Sequence, residues 1–228
     1  METQASWKES LEKLIQGNMR FRMGLRSVES FASALRLKEL AEKGQSPSAI
    51  ILTCSDSRVP TEILFDKGVG DLFVIRVAGN VISDTTIASI EYAAMILNTP
   101  LCVVMGHTQC GAIQAALNVV RAPNTMATKS IDNLLKKIVP GLKQIVDRAS
   151  TNDDHTLLQH CVVHNVKAQV GSILEVSGML RDRADQGKFR IVGAIYNLHD
   201  GAVDFDTKDI PDLKIENPLQ MPVFKEFK

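Results

Sequence analysis

The sequence predicts an α/β fold in which a central, mostly parallel β-sheet is flanked by helices. One observation is a set of short runs that are apolar throughout and rich in β-branched residues, as strands buried on both faces of a parallel sheet are. The other is that amphipathic helical segments alternate with these runs, the pattern of a sheet covered on both sides. The 228 residues are 45% hydrophobic, which is enough for one sizeable core.

The elements are predicted in this order. Two amphipathic helices are expected within residues 7–44, marked by apolar side chains at helical spacing: Leu11, Leu14, Ile15, then Leu35, Leu37 and Leu40. Strands are expected at residues 49–52, 72–77, 101–105 and 189–196, and helices at 84–97, from near 111, at 128–148 and at 156–181. Asp84 is the expected helix cap, and Pro140-Gly141 is expected to kink or end the helix that contains it.

A single domain is expected, because no linker long enough to separate two domains and no internal repeat is present. We divide this domain over residues 1–228 into an N-terminal helical arm (1–44), an α/β core (45–205) that contains the candidate site, and a C-terminal tail (206–228).

Charge and composition exclude several classes of partner. Lys plus Arg and Asp plus Glu both number 26 without a clustered basic face, so nucleic acid and anionic membranes are poor partners. The longest apolar runs are far below about 18 residues, so no membrane span is expected. The start, Met1-Glu2-Thr3-Gln4, lacks a secretory pattern. Four Cys residues do not suggest a disulfide scaffold, and we expect a reducing, cytoplasmic location.

Three ligands that suit a soft or borderline metal follow two of the predicted strands. Cys54 comes just after the first strand, and His107 and Cys110 come just after the third. Since parallel sheets bind ligands beyond the carboxyl ends of their strands, one crevice can hold all three. Two thiolates and one imidazole suit Zn²⁺, and three protein ligands leave the fourth tetrahedral position open for water. The sequence therefore predicts a catalytic zinc site with an activated water.

Asp56 and Arg58 are expected to orient the activated water. A carboxylate and a guanidinium two positions apart in a tight segment can pair through the fork geometry of arginine. The pair would hold Asp56 ionised as an acceptor for the proton of a zinc hydroxide, which is then the nucleophile. A purely structural ion pair is the alternative.

A second group of Cys and His residues is expected to be structural. The segment His160-Cys161-x-x-His164 places two histidines on one helix face, where they could bind a metal. No carboxylate falls within one turn of them, which favours the structural interpretation. Cys102 lies in the middle of a predicted strand and is expected to be a core residue.

The combined pattern Cys54-x-Asp56-Ser57-Arg58 and His107-x-x-Cys110-Gly111 resembles the β-class carbonic anhydrases, in their plant-like, open-site subtype. The resemblance runs from Leu11 to the strand that ends at Tyr196, through Gly17-Asn18-x-Arg20-Phe21, Arg58-Val59-Pro60-x-Glu62 and Phe73-Val74-x-Arg76-Val77-Ala78-Gly79-Asn80. It implies that Cys54, His107 and Cys110 bind zinc, that Asp56 and Arg58 form the catalytic pair, and that CO2 is reversibly hydrated to bicarbonate and a proton.

The resemblance also implies a substrate pocket. Gln45, Phe73 and Tyr92 match a pocket glutamine and two pocket aromatics, and Gly111 is included among the expected substrate-binding residues. Family members with a non-catalytic bicarbonate site carry a Trp where this chain has Ile51, so that site is not expected here. Ala78 stands where larger aliphatic residues also occur, which predicts a somewhat wider slot.

Three further expectations concern activity and partners. Hydrolysis of carbonyl sulfide or carbon disulfide is the alternative activity, because relatives use the same ligands on these linear analogues of CO2. A zinc-bearing interaction module without catalysis is a third hypothesis, against which the retained Asp56-Arg58 pair argues. In the family, the N-terminal helices wrap across a partner subunit that can supply the pocket Gln and Tyr, which implies a homodimer or a higher even homo-oligomer.

Overall fold

The computed structural model describes residues 5–25, 33–122, 128–149, 153–210 and 213. Its described strands form one five-stranded sheet in the order β2-β1-β3-β4-β5. The strands are β1 (Ala49–Thr53), β2 (Leu72–Arg76), β3 (Leu101–His107), β4 (Arg190–Tyr196) and β5 (Val203–Phe205). The first four pair in parallel, and β5 is antiparallel to β4. The predicted α/β fold with a mostly parallel sheet is confirmed.

Helices cover both faces of this sheet. The described helices are α1 (Trp7–Arg22), α2 (Ala34–Lys43), α3 (Thr61–Leu64), α4 (Asp84–Met95), α5 (Gly111–Arg121), α6 (Lys129–Leu135), α7 (Val139–Arg148), α8 (Asp154–Val176) and α9 (Gly178–Asp185). A short 3₁₀ turn, Ala78–Asn80, follows β2. None of the described helices is long and apolar enough to cross a membrane.

The two central strands, β1 and β3, are almost entirely apolar because every residue in them is buried between the helices on the two faces of the sheet. Alternate residues of β1 point to opposite sides, so Ile50 packs in one apolar cluster and Ile51 in the other. The first cluster lies between the sheet and helices that include α5 and α8, and the second lies between the sheet and α1. Cys102 lies in β3 without exposed surface, as predicted for a core residue.

Several predicted helix boundaries need correction. Helix α4 is capped by Ser83, whose side chain accepts from Thr86 N, and Asp84 is the first helical residue. Pro140 lies in the first turn of α7, where its missing N–H leaves no helical bond unmade. The long helix predicted at residues 156–181 is two helices, since the side chain of Ser177 accepts from Leu180 N and starts α9.

Strand β5 was not predicted. It pairs with the end of β4 through a tight connection in which Asn197 N donates to Ala202 O at 2.8 Å. The buried amide of Asn18 on α1 holds this connection: Nδ2 donates to Gly201 O at 2.9 Å, and Oδ1 accepts from Val203 N at 2.9 Å. An α1 residue therefore fixes the last strand.

The two N-terminal helices behave differently. Leu11 and Leu14 of α1 have no exposed surface and pack in the cluster beneath the sheet, so these two side chains need no partner subunit to cover them. Helix α2 has no buried residue, and its Leu35 and Leu37 are 70% and 48% exposed. These two side chains are therefore not covered within the single chain. Most of the predicted tail lies outside the described residues.

Candidate metal centre

The carboxyl ends of the two central strands bring the predicted ligands together. Strand β1 ends at Thr53, directly before Cys54, and its neighbour β3 ends at His107. Because Thr53 pairs with Met105 in the parallel register, the segments after both strands emerge at the same edge of the sheet. Cys110 lies just beyond, as the residue that precedes the first turn of α5.

The three side chains form one compact, buried group. The sulfur, nitrogen and sulfur atoms that could ligate a metal all lie within 4.8 Å of one another, and the two sulfurs are 4.0 Å apart. Two thiolates at tetrahedral positions around zinc, with Zn–S bonds of about 2.3 Å, are about 3.8 Å apart. The spacing of Cys54 and Cys110 therefore fits a shared tetrahedral ion.

The imidazole of His107 is prepared as a ligand. Its Nδ1 lies 2.9 Å from Thr108 O, and since a carbonyl can only accept, Nδ1 carries the proton. Nε2 then presents its lone pair, and this buried atom has no hydrogen-bond partner in the described part of the chain. A metal ion would satisfy it, with the ring orientation fixed by the carbonyl at the opposite nitrogen.

The two cysteine thiols affect each other's pKa, and a bound cation would favour the thiolate form of both. The pKa of Cys54 is lowered, because the Cys110 thiol donates a hydrogen bond to its sulfur, helped by the backbone N–H of Gly79. The pKa of Cys110 is raised in turn, because its thiol proton is held in this hydrogen bond to Cys54, because the side chain is buried, and because it would ionise beside the Cys54 thiolate. A divalent cation would neutralise both thiolates, and a coordinating thiol is deprotonated outright.

Asp56 and Arg58 form a two-pronged ion pair next to these ligands. Arg58 Nε donates to Oδ1 at 2.9 Å and Nη2 to Oδ2 at 2.7 Å, while the backbone N of Arg58 also donates to Oδ1 at 2.9 Å. Oδ2 lies 3.8 Å from Nε2 of His107. The bonds from Arg58 hold the pKa of Asp56 well below its usual range, so the carboxylate is ionised at neutral pH.

The residues predicted for the pocket are not gathered at this edge by their own chain. Gln45 is exposed and lies before β1, whose five residues span about 16 Å and lead away from it to Cys54. Phe73 pairs with Ile50 near the start of β1, and its ring centre lies 6.3 Å from that of Tyr92. Gly111 is beside the ligands, and no other group lies within 4 Å of where its Cβ would be.

Residues without a predicted role also contact the centre. Arg76, the last residue of β2, donates from Nη2 to Asp56 O at 2.6 Å and from Nε to Cys54 O at 3.3 Å. Gly79 N donates to Cys54 Sγ at 3.4 Å, and Asn165 of α8 holds Gly79 O. Two features of the sequence could have indicated these roles. Arg76 is a charged residue at the end of an apolar strand, and Asn165 is an amide on an otherwise apolar helix face.

The segment His160-Cys161-x-x-His164 does not form a second centre in the described structure. Among the described residues, the group of Cys54, His107 and Cys110 is the candidate cluster of three ligands. Cys161 is buried, and burial raises the pKa of its thiol to about 11. Burial also lowers the pKa of His164. The structural interpretation of these side chains is consistent with this environment.

Comparison with known proteins agrees with the geometry. The chain matches the family model described as Carbonic anhydrase over residues 49–203. Carbonic anhydrase 2 of Mycobacterium tuberculosis is 36% identical over 197 residues, which cover 86% of this chain and 89% of that protein. The solved structure of β-carbonic anhydrase CcaA matches with a TM-score of 0.68 at 28% identity, over 86% of this chain and 87% of that chain. The chain belongs to the β-carbonic anhydrase family.

Other members of the β-carbonic anhydrase family are similarly close. The carbonic anhydrase of Mycolicibacterium smegmatis is 34% identical, over 88% of this chain and 91% of that protein. Two tetrameric β-carbonic anhydrases of Sordaria macrospora share the fold, with a TM-score of 0.67 at 24% identity over 74% of this chain and 84% of that chain. The predicted enzyme class is confirmed. The Cys-His-Cys group is one that could hold the metal ion of this metal-dependent family.

Proposed function

We propose that the protein catalyses the reversible hydration of CO2 to bicarbonate and a proton, with Zn²⁺ held by Cys54, His107 and Cys110. The observation that carries this proposal is the buried group of three ligand atoms within 4.8 Å, beside an ionised carboxylate that is paired with arginine. The soft sulfur ligands favour zinc over a hard cation such as Mg²⁺.

When bound, zinc would lower the pKa of a water molecule, so that a hydroxide nucleophile is available near neutral pH. Side chains of the protein would then orient this nucleophile. Asp56 accepts a hydrogen bond from the nucleophile and so turns an oxygen lone pair toward CO2. Arg58 holds both oxygens of Asp56, which keeps the carboxylate ionised and off the metal at neutral pH. Arg76 fixes the backbone on either side of Ser55.

We further propose that a second copy of the chain completes the substrate pocket. Gln45, Phe73 and Tyr92 lie away from their own metal ligands, and Tyr92 is 49% exposed. Further large apolar side chains are exposed on α2 and at the end of α4, including Leu35, Met95 and Ile96. Covering them with a partner would remove apolar surface from water and place one copy's pocket residues near the other's metal. An even homo-oligomer follows.

The open-site subtype and the domain division belong to the same proposal. Ile51, where a Trp would mark the non-catalytic bicarbonate site, has no exposed surface and packs among the apolar residues beneath β1. The packing of α1 on the sheet through Leu11 and Leu14 supports treating the 1–44 arm and the 45–205 core as one domain.

Metal content and CO2 hydration of ligand variants test the proposal. We expect about one zinc per wild-type chain, and Cys54→Ser and His107→Ala to lose zinc and stopped-flow CO2 hydration together. Cys102→Ser is the matched control, because it changes an equally buried cysteine of β3 that lies away from the ligand cluster. Stoichiometric zinc in both ligand variants would refute the assignment. A headspace assay of carbonyl sulfide on the same samples checks the alternative substrate.

A further inference from the structure

A chain of buried amides connects α8 to the loop that follows β2. Asn165 and Gln169 lie one turn apart on α8 and are 3% and 5% exposed, among residues that are otherwise apolar. Asn165 Nδ2 donates to Gly79 O at 2.9 Å, and Gln169 Nε2 donates to Asn165 Oδ1 at 3.3 Å. At the far end, Ile82 N donates to Gln169 Oε1 at 2.8 Å.

The direction of these hydrogen bonds is fixed from both ends. A backbone N–H can only donate, so Gln169 must turn its oxygen to Ile82 and its nitrogen to Asn165. A backbone carbonyl can only accept, so Asn165 must turn its nitrogen to Gly79 O. No other orientation of the two amides satisfies both backbone groups. The two side chains therefore act as one unit, and breaking either bond disturbs the other.

This unit holds Gly79 in a conformation that few other residues adopt. Gly79 has φ 69° and ψ 16°, in the left-handed region. A Cβ there would lie 2.9 Å from Cδ1 of Ile138 and 3.2 Å from Cβ of Ala112. In this conformation Gly79 O meets Asn165, while Gly79 N points at the sulfur of Cys54, 3.4 Å away.

We propose that Asn165 and Gln169 are positioning residues that, through Gly79, aim a backbone N–H at the Cys54 sulfur and so set the charge and place of this metal ligand. The inference rests on the proposed role of Cys54 as a ligand. A hydrogen bond to a thiolate withdraws electron density from sulfur, which tempers the strong donation of two thiolates to one ion. Groups that orient ligands in this way typically change metal affinity about 10- to 100-fold when they are removed.

Cobalt-loaded protein supplies a readout that does not depend on activity. The sulfur-to-Co²⁺ charge-transfer band moves to lower energy when a thiolate gains electron density. We expect Asn165→Leu and the near-isosteric Asn165→Asp to shift this band to lower energy, because neither keeps the donor that holds Gly79 O. Both should also release Co²⁺ to a chelator about 10-fold faster or more. Gln169→Leu should shift the band in the same direction.

Asn18→Leu is the matched control. Asn18 is 4% exposed and, like Asn165, donates to backbone carbonyls, but it does so on the opposite side of the sheet. The Asn18→Leu substitution should lower the melting temperature without changing the energy of the sulfur-to-cobalt band or the rate of Co²⁺ release. The inference is overturned if the Asn165 variants match wild type in band energy and release rate; Asn165→Asp alone decides this if Asn165→Leu does not fold. A wild type without any sulfur-to-cobalt band would instead defeat the proposed Cys54 ligand, and the inference with it.

Discussion

Asp56 and Arg58 lie beside the proposed metal ligands, with Oδ2 of Asp56 3.8 Å from Nε2 of His107. We expect Asp56→Ala and Arg58→Ala each to lower kcat/KM for CO2 by about 100-fold or more, while zinc content stays near that of wild type. The reason is that, in the proposed mechanism, the pair positions the nucleophile but does not hold the ion. The double variant should be little worse than either single one, because residues that act as a unit are not additive.

Arg121→Ala is a matched control for this experiment. Arg121 also pairs with an aspartate, Asp154, but it lies at the end of α5, about 15 Å along the helix from Gly111. Its removal should leave kcat/KM unchanged. Near-wild-type CO2 hydration by Asp56→Ala, with zinc present, would defeat the proposed role of the pair.

The pH dependence of activity distinguishes the ionisation of the metal site from that of Asp56. Arg58 lowers the pKa of Asp56, so the ion pair adds stability above the unfolded pKa of about 3.9 and loses it only as pH falls through the lower folded value. Asp56 therefore stays ionised through neutral and mildly acidic pH. We therefore expect the rate of CO2 hydration, measured by stopped flow, to rise with pH around neutrality. This rise would report the ionisation of the metal site and not that of Asp56.

At the residue scale, local spacing made the ligands predictable. Cys54, His107 and Cys110 follow two apolar runs closely, so fold class alone brings them to one edge. Asn165 and Gln169 could not be assigned in this way, because the contact with Gly79 joins residues far apart in sequence, and a pair of amides on a helix is usually solvent-exposed. Their role depends on tertiary packing.

At the element scale, the docking of α1 depends on a close backbone contact. A Cβ on Gly17 would lie 1.9 Å from Phe65 O, a backbone atom that cannot turn aside. We expect Gly17→Ala to destabilise the protein by about 1–3 kcal/mol or more. Thermal unfolding would show this as a loss of at least several degrees, at about 2–4 °C per kcal/mol for a chain of this size.

Gly171→Ala is the opposing control for the same measurement. Gly171 lies in the exposed part of α8, and no group lies within 4 Å of where its Cβ would be. Alanine there should stabilise the helix by about 0.5–1 kcal/mol. If Gly17→Ala melted at or above the wild-type temperature, α1 could not be packed as described.

The elements that sequence analysis missed lack periodicity of their own. Strand β5 is three residues long and has mixed polarity, and it exists because α1 and β4 supply its partners. The division between α8 and α9 rests on one capping serine, Ser177, inside a continuous helical pattern. The long apolar strands were predictable, since burial on both faces leaves an unambiguous sequence pattern.

At the scale of the whole molecule, α2 exposes two apolar side chains that its own chain does not cover. The side chains of Arg36 and Leu40 contact the turn before β2, while Leu35 and Leu37 face solvent. We expect wild type to sediment as a species larger than the 25.0 kDa chain. Leu35→Glu with Leu37→Glu should weaken assembly about 10-fold or more, because burying a leucine contributes about 1.5–3 kcal/mol.

Lys43→Glu makes the same total change in charge at the end of the same helix and removes no apolar side chain. It should leave the sedimentation behaviour unchanged. A clean monomer of the wild type at micromolar concentration would contradict the proposed oligomer. Deleting residues 1–44 is a less selective test, because it also removes α1 and exposes the apolar cluster that Leu11 and Leu14 cover.

The 4.0 Å spacing of the Cys54 and Cys110 sulfurs also bears on how the protein ages. The two sulfurs need to move only about 2 Å closer to reach the disulfide distance of about 2.05 Å. Because the pKa of Cys54 is lowered, its thiolate is available to react, so an oxidant can join the two cysteines. A bound ion would occupy both sulfurs as ligands and so protect them. Loss of metal and oxidation are therefore linked: protein stripped under air would lose its capacity to be reloaded, whereas protein stripped with a reductant present would keep it.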